Sequence, residues 1–153
     1  MAIEIERKFL VSDKHIFQSL TPKRFKQAYL NSHAQRTVRL RIEGDAAFLA
    51  IKSKTVGIER QEWEYAIPLQ DAEELWPLCE TQAIEKNRYL LTQGSLIWEI
   101  DEFLGDNKGL IIAEIELQTA DQTFEKPDWL GEEVSNDKRY FNSQLSLQPF
   151  RQW

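Results

Sequence analysis

Charged and apolar residues alternate along much of this chain with a period of two, and this alternation constrains the fold more than any other feature. Ile3 and Ile5 alternate with Glu4 and Glu6, and the same pattern recurs in later segments. A period of two is typical of β-strands, because successive side chains point to opposite faces of a sheet. The pattern predicts eight strands, near residues 2–11, 25–31, 35–43, 46–54, 58–67, 85–92, 96–104 and 109–118.

Helix signals lie between and after these strands. Ser12 is a candidate N-cap for the first helix, and Asp71 followed by Glu74 resembles a capping box at the second. Pro127 is suited to the first turn of a third. The four predicted helices cover residues 12–20, 71–81, 127–134 and about 141–147. The first two could cover the apolar face of the sheet.

The charged faces of the predicted strands are sorted by sign. Arg39 and Arg41 share one face, and Glu114 and Glu116 share another. Such like charges lie about 6.6 Å apart and repel unless an opposite charge lies between them. Solvated strand faces usually contain more Ser, Thr and Gln than these do. We therefore predict an α+β fold, mainly antiparallel β, in which the sheet closes with its charged face inward and helices outside, forming a polar tunnel.

The length of the chain fits a single domain, and its charge distribution fits a site that contains both cations and carboxylates. The 153 residues suit one domain over residues 1–153. The net charge of −6 divides into +6 over residues 1–60 and −12 over residues 61–153. Attraction between two surface halves would explain this division, as would a site with cations for an anionic ligand and carboxylates for a metal. The acidic total argues against a nucleic-acid partner.

Cysteine content and hydropathy indicate a cytoplasmic protein. Cys79 is the single cysteine, so neither an internal disulfide nor a cysteine-based zinc site is possible. The first residues are acidic where a signal peptide would be basic and apolar. No apolar run approaches the roughly 20 residues that span a bilayer. We expect no membrane partner.

The inward-facing residues have the chemistry of a phosphate and metal site. Arg39 and Arg41 provide planar forks for phosphate oxygens, and lysines add positive charge. The carboxylates offer hard oxygen ligands, which suit Mg²⁺ or Mn²⁺ better than zinc. Enzymes that cleave a phosphoanhydride commonly combine such cationic side chains with carboxylates that bind a divalent metal.

The order of these charged segments resembles a known family. The resemblance starts with Glu4-Ile5-Glu6-Arg7-Lys8, which is similar to the Glu-x-Glu-x-Lys signature of the CYTH superfamily, the triphosphate tunnel metalloenzymes. Ala28 stands where that family has glycine in Gln-Gly-Tyr-Leu. The other matching segments are Arg39-Leu40-Arg41, Lys52-Ser53-Lys54, Arg60-Gln61-Glu62-Trp63-Glu64, Glu85-Lys86-Asn87-Arg88, Glu99-Ile100-Asp101, Glu114-Ile115-Glu116 and Asp137-Lys138-Arg139-Tyr140-Phe141-Asn142.

The resemblance implies an eight-stranded antiparallel barrel and a metal-dependent hydrolase. Among the family members, this chain most resembles short bacterial inorganic tripolyphosphatases. Such enzymes release phosphate and pyrophosphate with Mg²⁺ or Mn²⁺. On this basis Glu114 and Glu116 would hold a substrate-bridging metal, and Glu4 and Glu6, with Asp101, a second metal. The expected phosphate ligands are Lys8, Arg39, Arg41, Lys52, Lys54, Lys86, Arg88 and Lys138.

Tyr29 and Lys8 are the candidate catalytic residues. Cations or a metal beside Tyr29 would lower the pKa of its phenol, which could then take a proton from water. The alternative is that the metal alone activates the water and Tyr29 orients it.

Three other functions share the same features. A class IV adenylate cyclase or a thiamine or nucleoside triphosphatase would use the same tunnel with a further organic group. A non-catalytic polyphosphate-binding module would need the cations but not the paired carboxylates. A homodimer is compatible with each of these functions.

Overall fold

Antiparallel β-structure dominates the computed structural model, which describes residues 3–153. The strands are β1 (Ile3–Val11), β2 (Lys23–Asn31), β3 (Arg36–Glu43), β4 (Ala46–Ser53), β5 (Glu59–Ile67), β6 (Ile84–Gln93), β7 (Leu96–Phe103), β8 (Ile111–Leu117) and β9 (Leu130–Glu133). The first eight confirm the predicted strands to within two residues at each end. Residue 2, the predicted start of the first strand, lies outside the described residues.

The first eight strands close into a barrel. Their hydrogen-bonded order is β5-β4-β3-β2-β6-β7-β8-β1, and β1 also pairs with β5. Every pairing is antiparallel. The predicted closed barrel is therefore confirmed.

One edge of β1 is shared between two partners. β5 pairs with β1 from Ile3 to Ile5, and β9 pairs with it near Phe9 and Val11. The amide of Val134 then donates to the carbonyl of Lys8 at 2.9 Å. β9 thus satisfies backbone groups that β5 does not reach. The predicted helix over 127–134 is wrong, because pairing with this open edge outweighs the local helix signal.

The described helices are shorter than predicted. They are α1 (Leu69–Leu75), followed by a 3-10 turn (Trp76–Leu78), and α2 (Asn142–Leu145). Pro68 precedes α1 without a side-chain cap, so the predicted capping box of Asp71 and Glu74 is wrong. The predicted helix over 12–20 is one 3-10 turn (Lys14–Phe17), capped by Asp13 rather than Ser12.

The apolar core lies outside the barrel. Trp98 is fully buried and packs edge-to-face on Phe9 at 5.8 Å and on Trp129 at 5.3 Å between ring centroids. Phe17 of the first 3-10 turn packs on Tyr89 at 4.7 Å. Cover therefore comes mainly from the segment before β9 and from short turns. α1 provides cover as predicted, over a smaller area near Leu40, Ala47 and Ala72.

Among the described residues, no helix has both the length and the apolar character required to cross a membrane.

The close approach of β9 to β1 predicts a cost for a side chain at Gly131. A Cβ there would lie 2.9 Å from the carbonyl oxygen of Leu10, and neither backbone can shift without breaking the pairing. We expect Gly131→Ala to lower the free energy of unfolding by roughly 1–3 kcal/mol. Urea denaturation measures the change, with Glu132→Ala, an exposed neighbour, as control. Equal stability of the two variants would contradict the close approach.

Candidate active site

The barrel contains a cavity of about 250 Å³, and more than half of the residues in its wall are charged. Each of the eight strands contributes, because the period of two aims every second side chain inward. The strand residues that carry charge into this wall are Glu4, Glu6, Lys8, Arg39, Arg41, Lys52, Arg60, Glu62, Glu64, Lys86, Arg88, Glu99, Glu114 and Glu116. Tyr29 lines the same cavity. The predicted polar tunnel thus brings most of the predicted site residues together.

Three carboxylates from different strands form a cluster. Oxygens of Glu6, Glu99 and Glu114 lie within 4.8 Å of one another, which makes this a group of described residues able to hold a metal ion. Glu99 and Glu114 are direct neighbours across β7 and β8. Direct cross-strand neighbours lie about 5 Å apart, whereas inward residues on one strand lie about 6.6 Å apart. The cluster therefore takes members from different Glu-x-Glu pairs, and Glu99 is a member without a predicted role.

Lys8 lies against this cluster. Its Nζ is 3.4 Å from Glu114 and 3.8 Å from Glu6. Burial opposes ionisation of Glu114, but Lys8 and Arg88 overcome it and hold the Glu114 pKa well below its ordinary value. Burial and the charge of Glu114 raise the pKa of Glu6 well above its ordinary value. One ionised carboxylate and one that resists ionisation thus lie side by side.

Arg39 and Arg41 converge on one carboxylate. An Nη2 of each reaches Glu64, at 3.0 Å and 3.4 Å respectively. Both arginines are about 8% exposed, so they face the cavity rather than solvent. Their shared partner explains how two like charges on one strand are tolerated.

Glu4 lies on the cationic side of the cavity rather than in the carboxylate cluster. Its Oε1 is 3.0 Å from Arg60 and 3.4 Å from Lys52, and Lys52 also contacts Glu62 at 2.6 Å. Burial opposes ionisation of Glu4, but Lys52 and Arg60 lower its pKa to about 2. The three-carboxylate cluster includes Glu6 but not Glu4, so the grouping of Glu4 with Glu6 around a second metal stays a prediction.

Asp101 does not line the cavity. It is fully buried, and its two oxygens accept from Nε and Nη2 of Arg88 at 2.7 Å and 2.8 Å. Its Oδ2 also lies 2.8 Å from Nζ of Lys86. Asp101 therefore faces two of the predicted phosphate ligands and lies outside the carboxylate cluster.

Lys54 and Lys138 also lie outside the cavity wall. β4 ends at Ser53, so the inward alternation does not extend to Lys54, which is exposed and lines a separate groove beside Val56. Lys138 is exposed in a 3-10 turn (Lys138–Tyr140). The structure brings neither lysine together with the other predicted phosphate ligands.

Tyr29 lies in the wall, where burial and the neighbouring cations shift the pKa of its phenol in opposite directions. Burial raises the pKa of its phenol and outweighs the opposing charges of Arg39, Arg60 and Lys8. The side chain is 5% exposed. Tyr29 is therefore a neutral phenol at neutral pH.

Some wall residues had no predicted role. Arg60, Glu62 and Glu64 continue the inward alternation of β5, so the same pattern that found Arg39 could have found them. Asn142 begins α2 and accepts from Gln27 and from Lys86, each at 3.0 Å. Asn142 belongs to the closing segment that resembles the family, but the sequence does not give its contacts, because they depend on where that segment docks.

Comparisons with known proteins agree with this architecture. The CYTH domain family matches residues 2–146. An inorganic triphosphatase of Acetivibrio thermocellus is 43% identical over 152 residues, covering 99% of this chain and 97% of that protein. An inorganic triphosphatase of Nitrosomonas europaea is 40% identical over 149 residues, covering 94% of this chain and 97% of that protein.

Solved structures show the same fold. A crystal structure of an inorganic triphosphatase has a TM-score of 0.67 and 37% identity, covering 94% of this chain and 97% of the other. A Pyrococcus horikoshii protein at 17% identity has a TM-score of 0.60, covering 77% of this chain and 80% of its own, and shows the fold alone. With a family match over residues 2–146 and relatives at 40% and 43% identity over comparable length, this chain belongs to the CYTH domain family.

Proposed function

We propose that this protein hydrolyses inorganic triphosphate to phosphate and pyrophosphate with a divalent cation. The observation that carries the proposal is the carboxylate cluster of Glu6, Glu99 and Glu114, which lies in the same barrel cavity as the arginines and lysines. Cationic side chains beside oxygen ligands for a metal are the shared equipment of phosphoryl transfer. Two relatives of similar length named inorganic triphosphatase support the same substrate.

The balance of charge in the cavity favours a metal–triphosphate complex as the ligand. Of the residues that the structure describes, seven cationic and seven acidic side chains line the wall, so their formal charges cancel. A triphosphate alone would have to displace these carboxylates from their partners. A triphosphate that enters with a divalent cation gives each set of charges a new partner, so less electrostatic free energy is lost.

The carboxylate cluster suits a hard cation. Glu6, Glu99 and Glu114 would hold it, with Glu116 also in the wall. Mg²⁺ or Mn²⁺ fits a set made only of oxygen ligands. When bound, such a cation neutralises charge on phosphoryl oxygens and lowers the pKa of a bound water.

The protein's own cations would hold the phosphoryl groups. Arg39 and Arg41 present planar guanidinium groups, and Lys52 and Lys86 add point charges from two other strands. Lys8, which contacts Glu114, would bind the phosphoryl group nearest the cluster. In this buried setting the same contacts stabilise charge that develops in the transition state.

The wall favours an inorganic substrate over a nucleotide. Apart from Tyr29, its aromatic or aliphatic members among the described residues are Ile58 and Phe141. A nucleotide base or a thiazolium ring usually binds between apolar side chains that contact the two faces of the ring. We therefore place tripolyphosphate ahead of ATP or thiamine triphosphate.

A substrate panel tests the proposed reaction. With Mg²⁺, we expect tripolyphosphate to yield equal amounts of phosphate and pyrophosphate, with kcat/KM at least about tenfold above that for ATP or thiamine triphosphate. EDTA should abolish turnover. Cyclic AMP from ATP would instead establish a cyclase, and tight binding of tripolyphosphate without turnover would establish a binding module.

Two glutamate variants test which carboxylates hold the cation. Glu114→Gln should lower kcat/KM by about 100-fold or more, since a metal contributes several kcal/mol to transition-state stabilisation. It should also weaken Mn²⁺ binding, measured by calorimetry without tripolyphosphate, by about tenfold or more. Glu116→Gln, outside the cluster, should weaken Mn²⁺ binding less. The reverse order of the two variants would rule out this cluster as the main metal site.

A tyrosine variant separates proton transfer from orientation. Tyr29 is a buried neutral phenol, so we propose that its hydroxyl orients water or a phosphoryl oxygen. Tyr29→Phe should then reduce kcat by less than about tenfold, whereas loss of a general base usually costs about 10²-fold or more. Steady-state kinetics with tripolyphosphate measure this, and a loss of the larger size would reinstate Tyr29 as the base.

A further inference from the structure

Asp101 is a buried carboxylate to which the proposed mechanism assigns no role. It lies on β7, directly opposite Arg88 on β6. It is fully buried and does not line the cavity, whereas Arg88 and Lys86 both do. An unpaired carboxylate would be very costly in such a position. Its contacts therefore determine what it does.

Asp101 holds the guanidinium of Arg88 in a fixed plane. Its oxygens accept from Nε at 2.7 Å and from Nη2 at 2.8 Å, a bidentate pair. Glu99 accepts from Nη1 at 2.8 Å. A guanidinium carries five N–H groups, so two of them stay available to a ligand in the cavity.

The same carboxylate also restrains Lys86. Its Oδ2 lies 2.8 Å from Nζ of Lys86, and the side-chain oxygen of Asn142 accepts a second hydrogen bond from this ammonium at 3.0 Å. An ammonium has three donors, so one of them stays available. One buried carboxylate thus fixes two adjacent cations while each keeps donors for the cavity.

We infer that Asp101 is a positioning residue, which fixes Lys86 and Arg88 for binding the phosphoryl groups of the substrate, and that it is not a metal ligand. The inference rests on the proposed function for the identity of the substrate. Asp101 would then contribute to triphosphate recognition without contacting the triphosphate.

The variant Asp101→Asn distinguishes a positioning residue from a metal ligand. It keeps the size of the side chain but removes the charge that orients both cations. We expect KM for tripolyphosphate with Mg²⁺ to rise about tenfold or more, by more than kcat falls, because the lost charge-assisted contacts act on substrate binding. Calorimetry with Mn²⁺ alone should show an affinity within about twofold of wild type.

The matched control is Glu102→Gln. Glu102 is the next residue of β7 and accepts from the hydroxyl of Tyr89 at 3.4 Å on the other face of the sheet. It should leave KM and Mn²⁺ affinity near wild type. A loss of Mn²⁺ affinity in Asp101→Asn as large as in Glu114→Gln would make Asp101 a metal ligand. An unchanged KM in Asp101→Asn would also overturn the inference.

Spectra of the wild-type protein decide the question if Asp101→Asn does not fold. The Nε–H of Arg88 should be protected from exchange with water, and the Asp101 carboxylate carbon should not shift when Mg²⁺ is added. Rapid exchange or a large Mg²⁺-induced shift would overturn the inference. If the wild-type protein does not hydrolyse tripolyphosphate, the proposed function fails, while these two spectra still test the position of Asp101.

Discussion

The structure depends on the neutralisation of charge inside a closed barrel. Burying an ionised side chain costs several kcal/mol unless an opposite charge and hydrogen bonds compensate. Among the described residues, seven cationic and seven acidic side chains share the cavity wall, and opposite charges on different strands meet within it. Arg39 and Arg41 share Glu64, while Lys52 and Arg60 share Glu4. Like charges on one strand are compatible with a closed barrel because other strands supply their partners across the cavity.

Because the interior is charged, the apolar core has to form outside the barrel. The period of two that aims Glu99 inward also aims Trp98 outward, where Phe9 and Trp129 cover it. Short turns and β9 provide this cover instead of long helices. The outer core therefore stabilises the site, because the packing that fixes Trp98 also fixes the backbone that carries Glu99 and Asp101.

Sequence periodicity was sufficient for the strands and for the inward direction of residues such as Lys8, Arg39 and Glu114. It was not sufficient for their grouping, because grouping depends on which residues of different strands become neighbours. Glu99 joins Glu114 through the β7–β8 register, which no single strand encodes. The pKa of Tyr29 is the balance of burial against several cations, and a sequence gives the cations but not the burial. The helix predicted over 127–134 failed for a related reason, since the open edge of β1 exists only after the barrel closes.

Glu99 contacts both the carboxylate cluster and one of the cations of the cavity wall. It belongs to the carboxylate cluster, and it also accepts from Nη1 of Arg88 at 2.8 Å. On the proposed function, Glu99 would help to hold the cation while Arg88 binds a phosphoryl group. Asp101 holds Nε and Nη2 of the same guanidinium, so its orientation does not depend on Glu99 alone. The affinities for cation and triphosphate would then be linked through one shared carboxylate, and such linkage is reciprocal.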